Sequence, residues 1–137
     1  MLFLLDMLVH ELMRTHLVSL SEEATYAEAV DILDLYQLPW VPITDGSRKL
    51  IGLFEDTAVL SRASIPADEL SVISRRPIRE FMSMLPVVNP DTDAVSFELQ
   101  DSNSPRWIPV VDSDNRLVGM LDRVVVVQAR LDAQDQQ

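Results

Sequence analysis

One phrase occurs twice in this chain, and its repetition constrains the fold more than any other feature of the sequence. Residues 40–56 read WVPITDGSRKLIGLFED, and residues 107–123 read WIPVVDSDNRLVGMLDR. The leading tryptophans, the prolines, and the glycines of LIG and LVG are each 67 residues apart in the two copies. Such a repeat indicates that each copy cannot bury its apolar face alone and packs against its twin. We therefore expect one α/β folding unit made of two half-domains related by pseudo-twofold symmetry.

A second match, upstream of the main phrase, sets the boundaries of the two copies. VHELM at residues 9–13 corresponds to IREFM at residues 78–82, with an offset of 69 residues. The difference from the main offset indicates a two-residue deletion between the two matches. The chain is therefore predicted to contain a first copy over 9–63, a linker over 64–77, a second copy over 78–131 and a flexible tail over 132–137.

Local patterns predict a helix, a two-stranded hairpin and a second helix in each copy. Thr25 is followed three residues later by Glu28, a capping box that begins a helix, and an apolar stripe continues that helix. The turn formers of TDGSRK separate two β-rich segments, which predicts the hairpin. Gly52 stands where the backbone requires close approach or unusual dihedral angles. The predicted elements include helices over 25–36, 56–63 and 93–101, and second-copy strands over 107–111 and 117–121.

In two segments the sequence carries signals for more than one type of structure. Residues 123–131 contain four consecutive valines, which favour a strand by propensity. The corresponding segment of the first copy has a helical pattern, so we predict a helix here by analogy between the two copies. At the N-terminus, Leu2, Leu5, Val9 and Leu12 fall near helical spacing and predict a docking helix, because the apolar run is too short to cross a bilayer.

Composition excludes several classes of function. The 137 residues carry a net charge of −11, so there is no excess of basic side chains to neutralise nucleic-acid phosphates or an anionic membrane surface. The absence of cysteine excludes disulfides, thiolate catalysis and cysteine metal sites. The first residues lack the basic region and cleavage site of a signal peptide. We expect a cytoplasmic protein with neither a nucleic acid nor a membrane as partner.

The repeated pattern resembles the cystathionine-β-synthase (CBS) domain, and the tandem pair resembles a Bateman module. The matching segments are VHELM, VPITD and LIG in the first copy and IREFM, IPVVD and LVG in the second. The resemblance implies two β-α-β-β-α repeats packed through their sheets, with clefts between them that bind adenosine-containing ligands in many members. It also implies a homodimer. No catalytic machinery belongs to this arrangement, so we do not expect an enzyme.

The ligand residues that the resemblance implies surround the two tryptophans. Nucleotide-binding members follow the hairpin with a hydroxyl residue for phosphate and an aspartate for the ribose hydroxyls. Here Glu55 and Asp122 stand at the hydroxyl position, where a carboxylate would repel phosphate. Ala58 and Val125 stand at the aspartate position, so both ribose acceptors are missing. The two carboxylates would favour a neutral or cationic ligand. The candidate binding residues are Val18, Trp40, Pro42, Glu55, Val87, Arg106, Trp107, Pro109 and Asp122.

The tryptophans and carboxylates also have structural interpretations. Trp40 and Trp107 are either stacking platforms for a flat ligand or packing side chains that fill the ligand space or seal a dimer surface. Glu55 and Asp122 each follow a strand and open a helix, so they either contact a ligand or cap the helix and complement its dipole. The sequence leaves both alternatives open.

Other clusters of polar residues do not predict a metal or catalytic site. His10 and His16 lack the further ligands that a zinc site needs. The segment DSDN at residues 112–115 lacks the glycine and glutamate of a calcium loop and is predicted to be a turn. No serine stands with a histidine in a recognisable triad pattern.

A basic cluster in the linker interrupts the otherwise acidic chain. Arg75, Arg76 and Arg79 lie beside Pro77, a residue that can begin a helix. The cluster is either a solvated face or a patch that binds an anion or an acidic protein partner.

The sequence therefore supports two hypotheses of different class. The first is a regulatory, non-catalytic protein that binds a small molecule, adenosine-containing or cationic, in the clefts between its repeats. No cofactor is certain. The second is a degenerate pair that binds no ligand and acts as a dimerisation or protein-interaction module. Both predict a homodimer, because apolar helix faces supply contact surfaces.

Overall fold

The computed structural model describes residues 7–84, 86–100 and 104–135. These residues divide between two compact units. The described residues of 18–85 form one, called here the first-repeat unit. Those of 1–17 and 86–137 form the other, the second-repeat unit. Each unit contains one copy of the repeated phrase.

The first-repeat unit is a small mixed sheet with helices. Its elements are β1 (Leu20–Ser21), α2 (Tyr26–Tyr36), β2 (Trp40–Thr44), β3 (Leu50–Glu55), α3 (Asp56–Leu60), α4 (Ala67–Ser74) and a 3₁₀ helix (Ile78–Phe81). β2 and β3 form an antiparallel hairpin, and β1 runs parallel to β2. On the far side of β3, Leu53 and Ser83 exchange two backbone hydrogen bonds of 2.8 Å. The core includes Tyr26, whose ring meets that of Phe54 edge-on at 5.5 Å.

The second-repeat unit repeats this arrangement with fewer regular strands. Its elements are α1 (Val9–Leu12), α5 (Ala94–Gln100), β4 (Trp107–Val111), β5 (Leu117–Asp122) and α6 (Arg123–Asp135). β4 and β5 form the antiparallel hairpin, and a parallel bridge between Val88 and Val110 takes the place of β1. Arg14 and Met120 exchange backbone hydrogen bonds of 2.8 and 3.0 Å at the other edge. The core residues are Val9, Val88, Ala94, Ile108, Val110, Leu121 and Val126.

Local signals account for most of the predicted elements. Thr25 Oγ1 accepts a hydrogen bond of 3.2 Å from the backbone N–H of Glu28, so α2 begins at the predicted cap. The helix ends at Gln37, whose φ of 53° is left-handed and terminates the α-helical hydrogen bonding. Both hairpins are confirmed. The helix predicted for the valine-rich segment from the repeat, against its β-propensity, is confirmed, because this segment is the start of α6.

Several predicted boundaries differ from the structure. α3 ends at Leu60 instead of residue 63, and α6 continues to Asp135, so residues 132–135 of the predicted tail are helical. The predicted linker contains α4, whose first turn carries Asp68 and Glu69, where acidic side chains complement the helix dipole. The docking helix predicted from Leu2 and Leu5 falls largely outside the described residues. Its described part is α1.

Each hairpin is covered by the lead segment that begins the other copy of the repeat. We call residues 9–14 and 78–83 the lead segments. Gly119 of β5 faces the first lead segment, and an added Cβ there would lie 2.5 Å from Met13 Sδ and 3.0 Å from the Arg14 carbonyl oxygen. A Cβ on Gly52 would lie 2.9 Å from Met82 Sδ. Neither glycine has positive φ. The close approach predicted for Gly52 is confirmed, and the structure shows the same reason for glycine at Gly119.

Replacing Gly119 with alanine should therefore destabilise the protein. The new methyl group must displace both a flexible side chain and a backbone carbonyl, an overpacking that costs about 1–3 kcal/mol. The free energy of unfolding in urea measures the change. Gly46→Ala is the matched control, because an added Cβ at Gly46 has no neighbour within 4 Å. Equal stability changes in the two variants would contradict close packing of the lead segment at Gly119.

Candidate functional site

Each hairpin places a tryptophan directly opposite a carboxylate. Trp40, the first residue of β2, pairs with Glu55, the last residue of β3. Trp107 and Asp122 occupy the same positions in β4 and β5. Directly opposed residues in an antiparallel pair have neighbouring side chains, so the structure confirms that each predicted tryptophan lies beside its predicted carboxylate. We call the two places the Trp40 site and the Trp107 site.

In the Trp107 site, Asp122 is held by a guanidinium and by a helix end. The residue is only 3% exposed. Its Oδ1 accepts a hydrogen bond of 2.8 Å from Arg106 Nε, and its Oδ2 accepts one of 3.0 Å from Arg106 Nη2. Oδ1 also accepts from the backbone N–H of Val124 at 3.0 Å, near the beginning of α6. Asp122 thus forms a two-point ion pair and caps the helix.

These contacts determine the protonation of Asp122. The hydrogen bonds from the Arg106 guanidinium have the largest effect on the pKa of the Asp122 carboxyl and lower it. The Val124 N–H and the positive charges of Arg106 and Arg14 lower this pKa further, and the desolvation of the carboxyl opposes them. Asp122 is therefore a carboxylate at neutral pH, and its negative charge is offset by Arg106. The expectation that Asp122 would repel phosphate stays a prediction.

Arg14 is a site residue that the sequence analysis missed. Its guanidinium carbon lies 4.8 Å from the centre of the Trp107 ring, and that of Arg106 lies 5.5 Å from it. Both distances are within the range of cation–π attraction. Arg14 reaches the ring because its lead segment pairs with Met120 of β5. The signal in the sequence is that Arg14 directly follows the VHELM match. This signal points to Trp107 only once it is known which hairpin the lead segment covers.

The Trp40 site has different chemistry on the same backbone. Glu55 Oε2 accepts a hydrogen bond of 2.6 Å from Ser83 Oγ, and Glu55 makes no side-chain cap to α3. Ser83 bridges to Leu53 of β3 as Arg14 bridges to Met120 of β5. Pro39 precedes Trp40 where Arg106 precedes Trp107. The helix-capping interpretation is thus confirmed for Asp122 and wrong for Glu55.

The two tryptophans are buried to different degrees. Trp40 is 3% exposed, and its Nε1 has no hydrogen-bond partner among the described residues. Trp107 is partly exposed and carries a guanidinium. Neither indole therefore presents an open stacking face. The structure supports packing for Trp40 and a guanidinium-positioning role for Trp107.

The remaining predicted binding residues contribute mainly to packing. Pro42 and Pro109 are fully buried, and Val18 packs against the core of the first-repeat unit. Val87 is 41% exposed. No contact of these four residues distinguishes a ligand role from a structural one, so their assignment as ligand residues stays a prediction.

The other polar clusters are local structures. Asp112 Oδ1 accepts from the backbone N–H groups of Asp114 and Arg116 at 2.9 Å, which confirms the predicted turn. In the part of the chain that the structure describes, no group of three potential ligand residues could hold a metal ion. In the basic cluster, Arg76 Nε donates to Glu80 Oε1 at 2.8 Å. No helix of the described residues is long and apolar enough to cross a membrane.

A known protein family matches both copies of the repeat. The sequence profile described as the CBS domain matches residues 9–64 and 78–132. Among curated proteins, the chain is similar to inosine-5′-monophosphate dehydrogenase of Methanocaldococcus jannaschii, with 23% identity over 106 residues. This match covers 76% of the chain, which spans only 20% of that enzyme's length.

Solved structures show the same fold. The CBS-pair protein CBSX2 from Arabidopsis thaliana is 23% identical over 93% of this chain and 96% of its own, with a TM-score of 0.76. CBSX2 in complex with AMP is 24% identical, with a TM-score of 0.75 and coverage of 93% and 98%. CbpB in complex with c-di-AMP is 12% identical, with a TM-score of 0.79 and coverage of 96% and 89%. The bound nucleotides belong to those proteins, and the likeness shows the fold.

Two substitutions separate the roles of Asp122. Asp122→Ala removes both the ion pair and the cap, whereas Asp122→Asn removes the charge and keeps an acceptor for the Val124 N–H. We expect the free energy of unfolding of the alanine variant to be about 1 kcal/mol lower than that of the asparagine variant, because a helix cap contributes about this much. Urea unfolding at neutral pH measures this difference. Equal stability of the two variants would contradict the cap.

The ion pair should also give a pH dependence. Because the pKa of Asp122 is lower in the folded protein than in the unfolded chain, its charge contributes stability above the unfolded value of about 3.9. That contribution is lost as the pH falls through the folded-state pKa. The stability advantage of the wild type over Asp122→Asn should therefore be largest near neutral pH and shrink below about pH 4. An advantage that grows on acidification would contradict the assigned pairing.

Proposed function

The chain belongs to the CBS domain family, and we propose that it is a regulatory, non-catalytic protein that senses a small molecule through its tryptophan–carboxylate sites. The observation that carries this proposal is the identical register of Trp40 with Glu55 and of Trp107 with Asp122. Both repeats place a tryptophan opposite a carboxylate at the same point of the hairpin. The ligands of CBSX2 and CbpB support a sensing role for CBS pairs.

We propose that the usual adenine-nucleotide contacts are largely missing. Ala58 and Val125 stand where the family resemblance places a ribose-binding aspartate. Ala58 packs against the core of the first-repeat unit, and Val125 is the third residue of α6. Neither side chain can accept a hydrogen bond. At the Trp40 site, Glu55 receives only the neutral Ser83 hydroxyl among the bonds described. This site favours a neutral or cationic group.

The alternative is a module that binds no ligand and acts through protein contacts alone. The burial of Trp40 together with that of Pro42 favours this alternative for the Trp40 site, because these side chains fill space that a ligand would need. The exposed Arg106 side chain and the partly exposed Trp107 ring favour a ligand at the other site.

A thermal-shift screen distinguishes the two functions. We expect at least one compound among AMP, ATP, S-adenosylmethionine and cationic metabolites to raise the melting temperature. A ligand at 100 times its Kd adds about 2.7 kcal/mol to the free energy of unfolding. Trp107→Ala should abolish the shift, and Trp40→Ala serves as the comparison in the other repeat. A flat response to the whole panel would leave the ligand-free module as the function.

We also propose that the protein forms a homodimer through its helices. Leu60 of α3 is 68% exposed, and Val127 of α6, its counterpart 67 residues later, is 46% exposed. Large exposed apolar side chains at matching places in both repeats are typical of an interface.

Sedimentation velocity tests the dimer. The wild type should sediment as a dimer at micromolar concentration, and Leu60→Glu and Val127→Glu should shift it towards monomer by placing a charge in the contact. Leu70→Glu is the control, because Leu70 lies on α4 outside both repeats and is 39% exposed. A wild-type monomer across the concentration range would overturn the proposal.

A further inference from the structure

We propose that the homodimer pairs unlike repeats: a groove on the first-repeat unit of one copy packs against the corresponding groove on the second-repeat unit of the other copy. The proposal rests on the homodimer proposed above, and it names which surfaces of the two copies meet. The occupant of each groove is thus a second copy of this chain.

Each unit has a groove between two of its helices. The first groove, of about 620 Å³, lies between α2 and α3, and the second groove, of about 380 Å³, lies between α5 and α6. Pro39 and Leu60 line the first groove, and Arg106 and Val127, each 67 residues later, line the second. The two grooves are therefore counterparts in the two repeats.

Both grooves contain exposed apolar side chains. Leu60 is exposed in the first groove, and Val124 and Val127 are exposed in the second. Covering such side chains removes apolar surface from water, which favours association. The apolar surface by itself does not determine which groove covers which.

The first groove is acidic. The carboxylates of Asp31, Asp34 and Asp56 line it, and all three residues are exposed. None of them forms an ion pair among the described residues, and no basic side chain is among those that line this groove. Two first grooves packed against each other would bring these carboxylates together, and like charges across an interface oppose binding.

The second groove presents a guanidinium in place of these carboxylates. Arg123, the counterpart of Asp56, donates from Nη2 to Glu98 Oε2 at 2.7 Å, and this pair is largely buried. The side chain of Arg106 is 57% exposed, whereas its partner Asp122 is only 4% exposed. The charge on the surface of this groove is therefore that of Arg106.

Charge complementarity selects the pairing of unlike grooves. That pairing covers apolar side chains on both surfaces and places the Arg106 guanidinium near the carboxylates of the first groove. A twofold axis between the copies repeats the contact, so the dimer contains it twice. Pairing of like grooves would instead place carboxylates against carboxylates and guanidinium against guanidinium. The difference in charge between the repeats thus specifies the arrangement of the dimer.

Neutralising the first groove tests this arrangement. The double substitution Asp34→Asn and Asp56→Asn should raise the dimer dissociation constant about tenfold, because weak charge contacts are lost in both copies of the groove pair. Sedimentation velocity over a concentration series measures the constant. A pairing of two first grooves predicts the opposite sign, since removal of facing carboxylates would strengthen that dimer.

The matched control is the double substitution Asp68→Asn and Glu69→Gln. It removes the same number of charges from the first turn of α4, which does not line the first groove. Each copy carries a net charge of −11, so a general reduction of repulsion should leave this dimer unchanged or slightly tighter. Equal weakening in the control and the groove variant would overturn the proposal.

Disulfide trapping identifies the facing surfaces directly. The chain contains no cysteine, so Leu60→Cys and Val127→Cys each introduce a unique thiol. After the two variants are mixed, with a mass tag on one of them, oxidation should give the mixed cross-linked dimer. Cross-linking of Leu60→Cys to itself in preference to the mixed product, or unchanged or tighter dimerisation of the Asp34→Asn and Asp56→Asn variant, would overturn the pairing of unlike repeats and leave the homodimer standing. A wild-type monomer is the separate result that removes the homodimer itself.

Discussion

The contact between each lead segment and a hairpin glycine is the constraint on which the rest of the structure depends. A hairpin edge leaves backbone donors and acceptors unpaired, and here the lead segment pairs with them at Met120 in one unit and at Leu53 in the other. The pairing needs a partner strand without a side chain at the crossing point, which Gly119 and Gly52 provide. In the second-repeat unit the same contact carries Arg14 to Trp107. One packing requirement therefore closes a sheet edge and completes the charged site.

The two repeats show that a conserved backbone can carry opposite electrostatics. In both repeats, the backbone N–H of the residue just after the hairpin donates to the carbonyl oxygen of the residue before the tryptophan. Asp56 donates to Pro39 at 2.9 Å, and Arg123 donates to Arg106 at 2.8 Å. These bonds fix the position of the residue before the tryptophan without depending on its side chain. Proline or arginine can therefore occupy that position while the hairpin stays intact, which allows the chemistry of the sites to diverge while the fold does not.

Features with a local signal could be predicted from the sequence, and features that depend on which segments meet could not. The hairpins, the start of α2 and the close approach at Gly52 have signals within a few residues, and the repeat resolved the ambiguous valine segment of α6. The sequence shows that a lead segment begins each copy, but its position along the chain does not show which hairpin it covers, so Arg14 was missed. The pairing of Asp122 with Arg106 was missed for the same reason, because it depends on the register of β4 with β5.

The two arginines of the Trp107 site differ in how firmly they are held. Arg106 is fixed by Asp122, which also caps α6, so its guanidinium has one set orientation. Arg14 has no such ion pair among the described residues, and its backbone belongs to the lead segment that closes the sheet edge. The Trp107 ring therefore contacts one guanidinium that is fixed by the helix cap and one that is carried by the lead segment.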